Sequence, residues 1–275
     1  MLRRAAAAAG VTAAAGLGWS LFEAQWLELV EVEVPLEGLP EELDGLTIVH
    51  LSDFHLGTLS FNGRTAARAI RWARSSPCDL VVLTGDLLSR QRGDAQLRAA
   101  IAALNPRHGI YAVLGNHDVD VTRDPFSTPT DASAVEAEGA VLLEDESVLI
   151  DVNGRKVQVA GGNPREDWKE RPPGRLADPK ADLRILLFHF PDVVRHLPAG
   201  AFDLVLAGHL HGGQICVPTP RGKVRLEHLR AAHWEGVHET PAGVLHVSRG
   251  LGTSFVPFRF LARPEATRLV LRIAL

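Results

Sequence analysis

At 275 residues, with 46% hydrophobic and 23% charged side chains, the chain can bury a real core and fits one layered domain with a short appendage; nothing suggests a fibre, a bundle or broad disorder. A formal net charge of -4 argues against a surface that neutralises many phosphates, so no nucleic-acid partner is expected. Cys78 and Cys216 are too few for a zinc ribbon or a disulfide framework and read as free thiols.

The N-terminus departs from the average composition. Arg3 and Arg4 precede an Ala-rich stretch from Ala5 to Phe22, so residues 1–22 read as a signal peptide or an N-terminal membrane anchor, with the main domain at 30–275. The stretch falls short of the ~20 strongly apolar residues that a spanning helix needs, and the paired arginines match a twin-arginine signal only in part. Arginines before it and Glu23, Glu28 and Glu31 after it favour an extracytoplasmic body, exported or membrane-associated. An ordinary Ala-rich helix is the plain alternative.

From Leu46 onward short apolar runs alternate with helical patterns. Strands are expected at Thr47 to Leu51, Leu80 to Leu83 and Ile110 to Leu114, with helices at Arg64 to Ala73 and Asp94 to Leu104 between them. Val148 to Val152 and Lys156 to Ala160, joined by Asn153-Gly154, read as a hairpin with a type I′ turn. Val141 to Leu143, Ile185 to Phe188, Leu204 to Ala207, Val244 to Val247 and Leu269 to Ile273 are further strands, and Pro164 to Pro179 reads as a long surface loop. This rhythm predicts a layered α/β core with right-handed connections.

Five of the runs end in side chains that can bind metal: Asp53 and His55, Asp86, Asn116 with His117, His189, and His209 with His211. Ligands of open α/β sheets bind beyond the carboxyl ends of the strands, where these groups would converge. The i, i+2 spacing of Asp53/His55 and of His209/His211 would place each pair on one face of an extended chain. Two divalent ions about 3.5–4 Å apart need a bridging carboxylate, for which Asp86 is the natural candidate. Imidazole, carboxylate and amide ligands without thiolate suit Mn²⁺, Fe or Zn²⁺. A water shared by two such ions is partly hydroxide near neutral pH and supplies a nucleophile, while His117 could protonate a leaving oxygen and Asp118 either orient that ring or cap the loop.

The segments LSDFHLG, LTGDLL, VLGNHD, LFHFPD and AGHLHGG, between residues 51 and 213, resemble the ordered blocks of the calcineurin-like metallophosphoesterases. The resemblance implies a four-layer α/β/β/α sandwich of two facing mixed sheets, with the dimetal site at the carboxyl ends of strands. It implies that Asp53, His55, Asp86 and His211 hold one ion, that Asp86, Asn116, His189 and His209 hold the other, and that His117 is catalytic. Leu87, Leu88, Ser89 and Arg90 replace the Asp-Arg-Gly that follows the bridging aspartate in protein phosphatases of this superfamily, so that role is not expected. The N-terminal segment, HGGQ at 211–214 and SRGLGTSFVPFRF at 248–260 resemble a membrane-associated or exported bacterial branch that includes UDP-diacylglucosamine pyrophosphatase-like enzymes.

The expected function is therefore hydrolysis of a phosphodiester or pyrophosphate in a phosphorylated small molecule or lipid, by a monomer associated with membrane through its N-terminus. A nuclease-type phosphodiesterase and an inactive metal-binding scaffold are the rivals; no dense Lys/Arg run supports the first, and every expected catalytic position is filled, against the second. His50, His108, His196, His228, His233, His238 and His246 are not expected to bind metal, Arg249 either contacts phosphate or forms an ion pair, and the aromatic run from Phe255 to Phe260 either packs in the core or lines an acyl-chain groove.

Overall fold

Leu80–Thr84 is buried at every position and Thr47–Leu51 at all but the first, as strands covered on both faces must be. The computed structural model describes residues 2–274 apart from 76, 120, 122, 123, 129, 132, 221, 228 and 230; His228 lies outside the described residues. The strands are β1 (Glu28–Leu36), β2 (Thr47–Leu51), β3 (Leu80–Thr84), β4 (Ile110–Val113), β5 (Val141–Leu142), β6 (Glu146–Val152), β7 (Arg155–Gly161), β8 (Leu183–Leu187), β9 (Leu204–Ala207), β10 (Cys216–Thr219), β11 (Gly222–Arg225), β12 (Gly236–Thr240), β13 (Gly243–Val247) and β14 (Glu265–Ile273). They form two six-stranded mixed sheets, ordered β1-β14-β2-β3-β4-β5 and β12-β13-β9-β8-β7-β6, and a small β10-β11 hairpin. β2, β3, β4 and β5 run parallel to one another, as do β7, β8, β9 and β13, so their carboxyl ends line one edge of each sheet.

The sheets pack through alternate residues. Ile48, Leu80, Val82, Val113 and Leu269 meet Val157, Val159, Ile185, Leu187 and Leu206 in a core between the sheets, while the opposite faces of β2 and β3 pack Val49, Leu51, Val81 and Leu83 under helices. α1 spans Leu2–Glu23, α2 Asn62–Ser75, α3 Asp94–Ala102 and α4 Ala134–Ala137. In α2, Ala66, Ala69, Ile70 and Ala73 recur at helical spacing and are the face that docks. The outer face of the second sheet is covered differently from the expected α layer. Short 3₁₀ turns at Glu166–Lys169, Pro173–Leu176 and Pro191–Arg195 lie there, with Trp168, Val193 and Val194 packed on Leu186 and Val205. The Pro-rich stretch expected to be a surface loop thus contributes to a layer.

β1 and the strands from β10 to β12 are additions to the elements expected from sequence. The alternation Val30-Glu31-Val32-Glu33-Val34 marks β1 as a half-buried strand, with these valines inward and Glu31 and Glu33 outward, paired in parallel with β14. The β6–β7 turn is as expected, with positive φ at Asn153 (54°) and Gly154 (81°). The Ala-rich segment is the 22-residue α1, and among the described residues no helix is long and apolar enough to cross a membrane. Its end is tied to the body: the Glu23 carboxylate accepts from the Ala262 amide at 2.8 Å, and the Ser20 carbonyl accepts from the Arg259 amide at 3.1 Å. Both cysteines are free and buried.

A polar clasp joins the two sheets. Nδ1 of His50 in β2 meets Nδ1 of His246 in β13 at 2.9 Å, and His50 Nε2 meets the Thr84 hydroxyl at 2.8 Å. Burial holds His50 well below the usual imidazole range and lowers His246 to about 4, against the pull of Glu265. His246 therefore adds stability that is complete above about pH 6.5 and is lost as pH falls toward about 4, on the order of 3 kcal/mol. Urea unfolding of metal-free protein should show this loss between about pH 7 and about pH 5, and His246→Gln should flatten it. An unchanged pH slope in the variant would rule out the clasp as its source.

Candidate metal centre

Each of β2, β3, β4, β8 and β9 ends at the same rim, and the chain turns there at once. Asp53 (φ 52°), His55 (46°), Asp86 (52°), His209 (74°) and His211 (50°) all adopt the left-handed conformation that side-chain-bearing residues avoid. This corrects the reading of Asp53/His55 and His209/His211 as extended pairs. The turns, not a pleat, aim the side chains inward. His209 and His211 consequently serve different clusters.

Those clusters share one residue. Asp53, His55, Asp86 and His211 form a buried group, and Asp86, His189 and His209 form a second; within each, ligand atoms lie within 4.8 Å of one another. Asn116 joins the second group, its Oδ1 3.0 Å from His189 Nε2. A single oxygen, Asp86 Oδ2, faces His55 Nε2 at 3.5 Å, His189 Nε2 at 3.2 Å and His117 Nε2 at 3.9 Å. Its other oxygen, Oδ1, accepts the His117 amide at 2.9 Å, which fixes the rotation of the carboxylate.

Hydrogen bonds behind the rings set which nitrogens face the centre. His189 Nδ1 donates to the Thr84 carbonyl at 2.8 Å, so its Nε2 points at Asp86, Asn116 Oδ1 and His209 Nδ1, the last at 3.2 Å. His55 Nδ1 pairs with the Ser89 hydroxyl at 2.9 Å and turns Nε2 toward His211 Nε2, 3.1 Å away. Acceptors and lone pairs crowd together at both places, an arrangement that a cation stabilises. The donor set is oxygen and imidazole nitrogen throughout and fits divalent Mn, Fe or Zn.

The electrostatics agree with this fit. Burial alone would raise Asp86, but the His189 and His117 rings beside it hold it well below the usual carboxylate range. Asp53 is likewise lowered against burial, chiefly by His211. Burial would lower His189, and the Asp86 charge instead lifts it to about 9. The pocket concentrates negative potential where positive charge is to sit.

His117 and Asp118 separate. The His117 ring is buried, with Nδ1 2.7 Å from the Ser127 hydroxyl, which in turn donates to Asp124 at 3.3 Å. The Asp118 carboxylate accepts the backbone amides of Leu87, Leu88 and Gly115 at 2.9–3.2 Å, joining the loops after β3 and β4. Burial and the charge of Asp86 push Asp118 up to about 7, opposed by those three amides. Sequence reasoning did not find Ser89, Ser127 or Asp124; only the serine within LLSR, just after Asp86, offered a local signal. Arg249 turns to Glu265 (2.6 Å) and Glu28 (2.7 Å), an ion pair and not a phosphate contact.

A model of the family described as "Calcineurin-like phosphoesterase" matches residues 46–213. Among curated proteins, the chain is 32% identical over 286 residues to an uncharacterized metallophosphoesterase, YkuE of Bacillus subtilis, covering 98% of this chain and 94% of that protein. It is 29% identical to a zebrafish (Danio rerio) "Transmembrane protein with metallophosphoesterase domain", covering 91% of this chain but 59% of the longer protein. It is 25% identical to UDP-2,3-diacylglucosamine pyrophosphatase LpxG of Chlamydia muridarum, covering 93% of each chain.

Two glycines let the loops close on the ligands. A Cβ at Gly208 would collide with the Ser52 hydroxyl and Asp53 Oδ2, and one at Gly115 with Asp86 Oδ1. Gly208→Ala should therefore displace Asp53, cost about 1–3 kcal/mol of stability and reduce bound Mn²⁺ measured after dialysis. Unchanged metal content would show that the centre tolerates the added methyl.

Proposed function

The chain belongs to the calcineurin-like phosphoesterase family and is a metal-dependent phosphoester hydrolase, and from that premise we propose that it cleaves a phosphodiester or pyrophosphate in a phosphorylated small molecule or lipid. The observation that carries the reading is Asp86 Oδ2, set between two ligand groups at 3.2–3.5 Å from a histidine of each. Asp53, His55, Asp86 and His211 would hold one divalent ion, and Asp86, Asn116, His189 and His209 the other. When bound, Mn²⁺, Fe or Zn²⁺ would supply a nucleophilic water near neutral pH and neutralise charge on the phosphoryl oxygens.

The remaining work belongs to the protein. His117 Nε2 faces the centre from the Asp86 side and protonates the leaving oxygen, while Ser127 holds its Nδ1 and positions the ring. Asp118 fixes the loops that carry Asp86 and Asn116. Ser89 and Thr84 hold the ligand rings in place. The lipid reading draws on the name of the chlamydial relative and on the aromatic cluster of Trp19, Phe22 and Trp26, all exposed at the end of α1 with ring centroids 5.5–6.1 Å apart. Such rings favour a membrane–water interface, which supports the reading of a chain exported or tethered to a membrane through its N-terminus.

Hydrolysis of bis(p-nitrophenyl) phosphate should depend on added Mn²⁺ and stop on chelation. His117→Ala should lower kcat by roughly 10²–10⁴-fold, and Ser127→Ala by about ten-fold with metal content retained. Full metal occupancy with no turnover of esters, diesters or pyrophosphates would overturn the reading in favour of a binding scaffold.

A further inference from the structure

The aromatic run near the C-terminus splits between two environments. Phe258 and Phe260 are half-buried, whereas Phe255 and Val256 are 43% and 37% exposed. Core packing therefore does not account for Phe255 and Val256. They line a cavity of about 230 Å³ together with Leu59 and Phe126, which are 90% and 53% exposed. A space this small, below the ~300–1,000 Å³ of ordinary ligand pockets, has room for a short apolar chain.

Charge also lines it. Arg90 and Arg92 line the same cavity, and among the described residues neither has a carboxylate within 4.0 Å. Their Nε atoms donate to the Phe126 and Gly57 carbonyls, which anchors each side chain and leaves the guanidinium tips to meet an anion. An apolar slot with fixed cations beside it is complementary to an amphiphile with an anionic head.

Hydrogen bonds also link the slot to the metal centre. Asp124 lies in its lining and accepts the amides of Phe126 (2.9 Å) and Phe255 (3.2 Å), joining both walls, and it accepts the Ser127 hydroxyl that holds His117. On the other side, Thr58 lines the slot and donates to the His55 carbonyl at 3.2 Å, and Asn62 links that same carbonyl to the Thr253 backbone. Short hydrogen-bonded paths therefore connect the slot to His117, through Asp124 and Ser127, and to the backbone of His55, through Thr58.

We propose that this slot holds an acyl or alkyl chain of the substrate, with Arg90 and Arg92 engaging its anionic head, so that the apolar arm lies on the His117 side of the scissile phosphate. The proposal rests on the phosphoesterase reading for the phosphate and adds the chemistry of what the phosphate carries. The exposure of Leu59 and Phe255 then has a function: they guide a lipid tail from its surroundings into the slot.

Calorimetric binding of butyl, hexyl and octyl phosphate to the full Mn²⁺-loaded chain, all below their micellar concentrations, tests it directly. Kd should fall by at least about ten-fold from butyl to octyl, since each fully buried methylene is worth about four-fold. Leu59→Ser and Phe255→Ser should flatten that dependence, and Leu59, at 90% exposure, is substituted without disturbing the core. Arg90→Ala should raise Kd at every chain length. Equal Kd across the series, or a slope unaltered in both serine variants, would overturn the slot. Bis(p-nitrophenyl) phosphate turnover measured in parallel separates the two ideas: turnover with a flat series sinks the slot alone, and a steep series without turnover sinks the phosphoesterase reading alone.

Discussion

A carboxylate buried among imidazoles needs positive charge near it, and in this protein the need is concentrated on Asp86 Oδ2. That oxygen lies 3.2 Å from His189 and 3.5 Å from His55, ligand rings that belong to different clusters. Asp86 is buried and cannot turn to water, because the His117 amide holds Oδ1 and the Gly115 backbone presses against it. The remaining ligands are arranged around this fixed point. Asp53 is held by the His209 amide at 3.1 Å, His189 by a carbonyl of β3 and His55 by Ser89, so the positions of the donors follow from backbone and short side chains.

Holding donors this closely has a conformational cost. Left-handed φ values at Asp53, His55, Asp86, His209 and His211 each stand on the order of 1 kcal/mol or more above relaxed geometry. The two sheets oppose that strain. The core between them fixes the ends of β2, β3, β4, β8 and β9, and the His50–His246 clasp joins the sheets directly beneath Thr84, whose carbonyl orients His189. Rigid strand ends therefore supply the metal geometry, and no loop has to find it unaided.

The same division explains what the sequence revealed. Strands buried on both faces read as continuous apolar runs, and each run that stopped at Asp, Asn or His also marked a position at the rim, so β2, β3, β4, β8 and β9 and the groups beyond them were legible together. β1 was passed over because its alternating glutamates read as a charged flank of the N-terminal segment, although period-two patterning was present. The layer over the second sheet was misjudged because 3₁₀ turns rich in proline carry no helical period. Ser127 and Asp124 were invisible for a different reason: they reach His117 from a loop ten residues away with no periodic signal at all. Asp118 carried two readings, orienting His117 or capping the loop, and its carboxylate faces the amides of Leu87, Leu88 and Gly115, as the second expects.

Selectivity then has to come from elsewhere, because a centre made of strand ends can treat any phosphoester alike. The segments carrying Leu59, Phe126 and Phe255 have freedom that the ligands lack: they are exposed and lie outside the sheets. Yet they are not independent of the chemistry, since Asp124 ties two of them to the serine that holds His117. A substrate arm lodged between Phe126 and Phe255 would press on the amides that Asp124 binds, and through Ser127 on the His117 ring. With His117 in its proposed role as the acid, binding energy from a part of the substrate remote from phosphorus would steady that ring at bond cleavage, and a phosphate lacking that arm would forgo it.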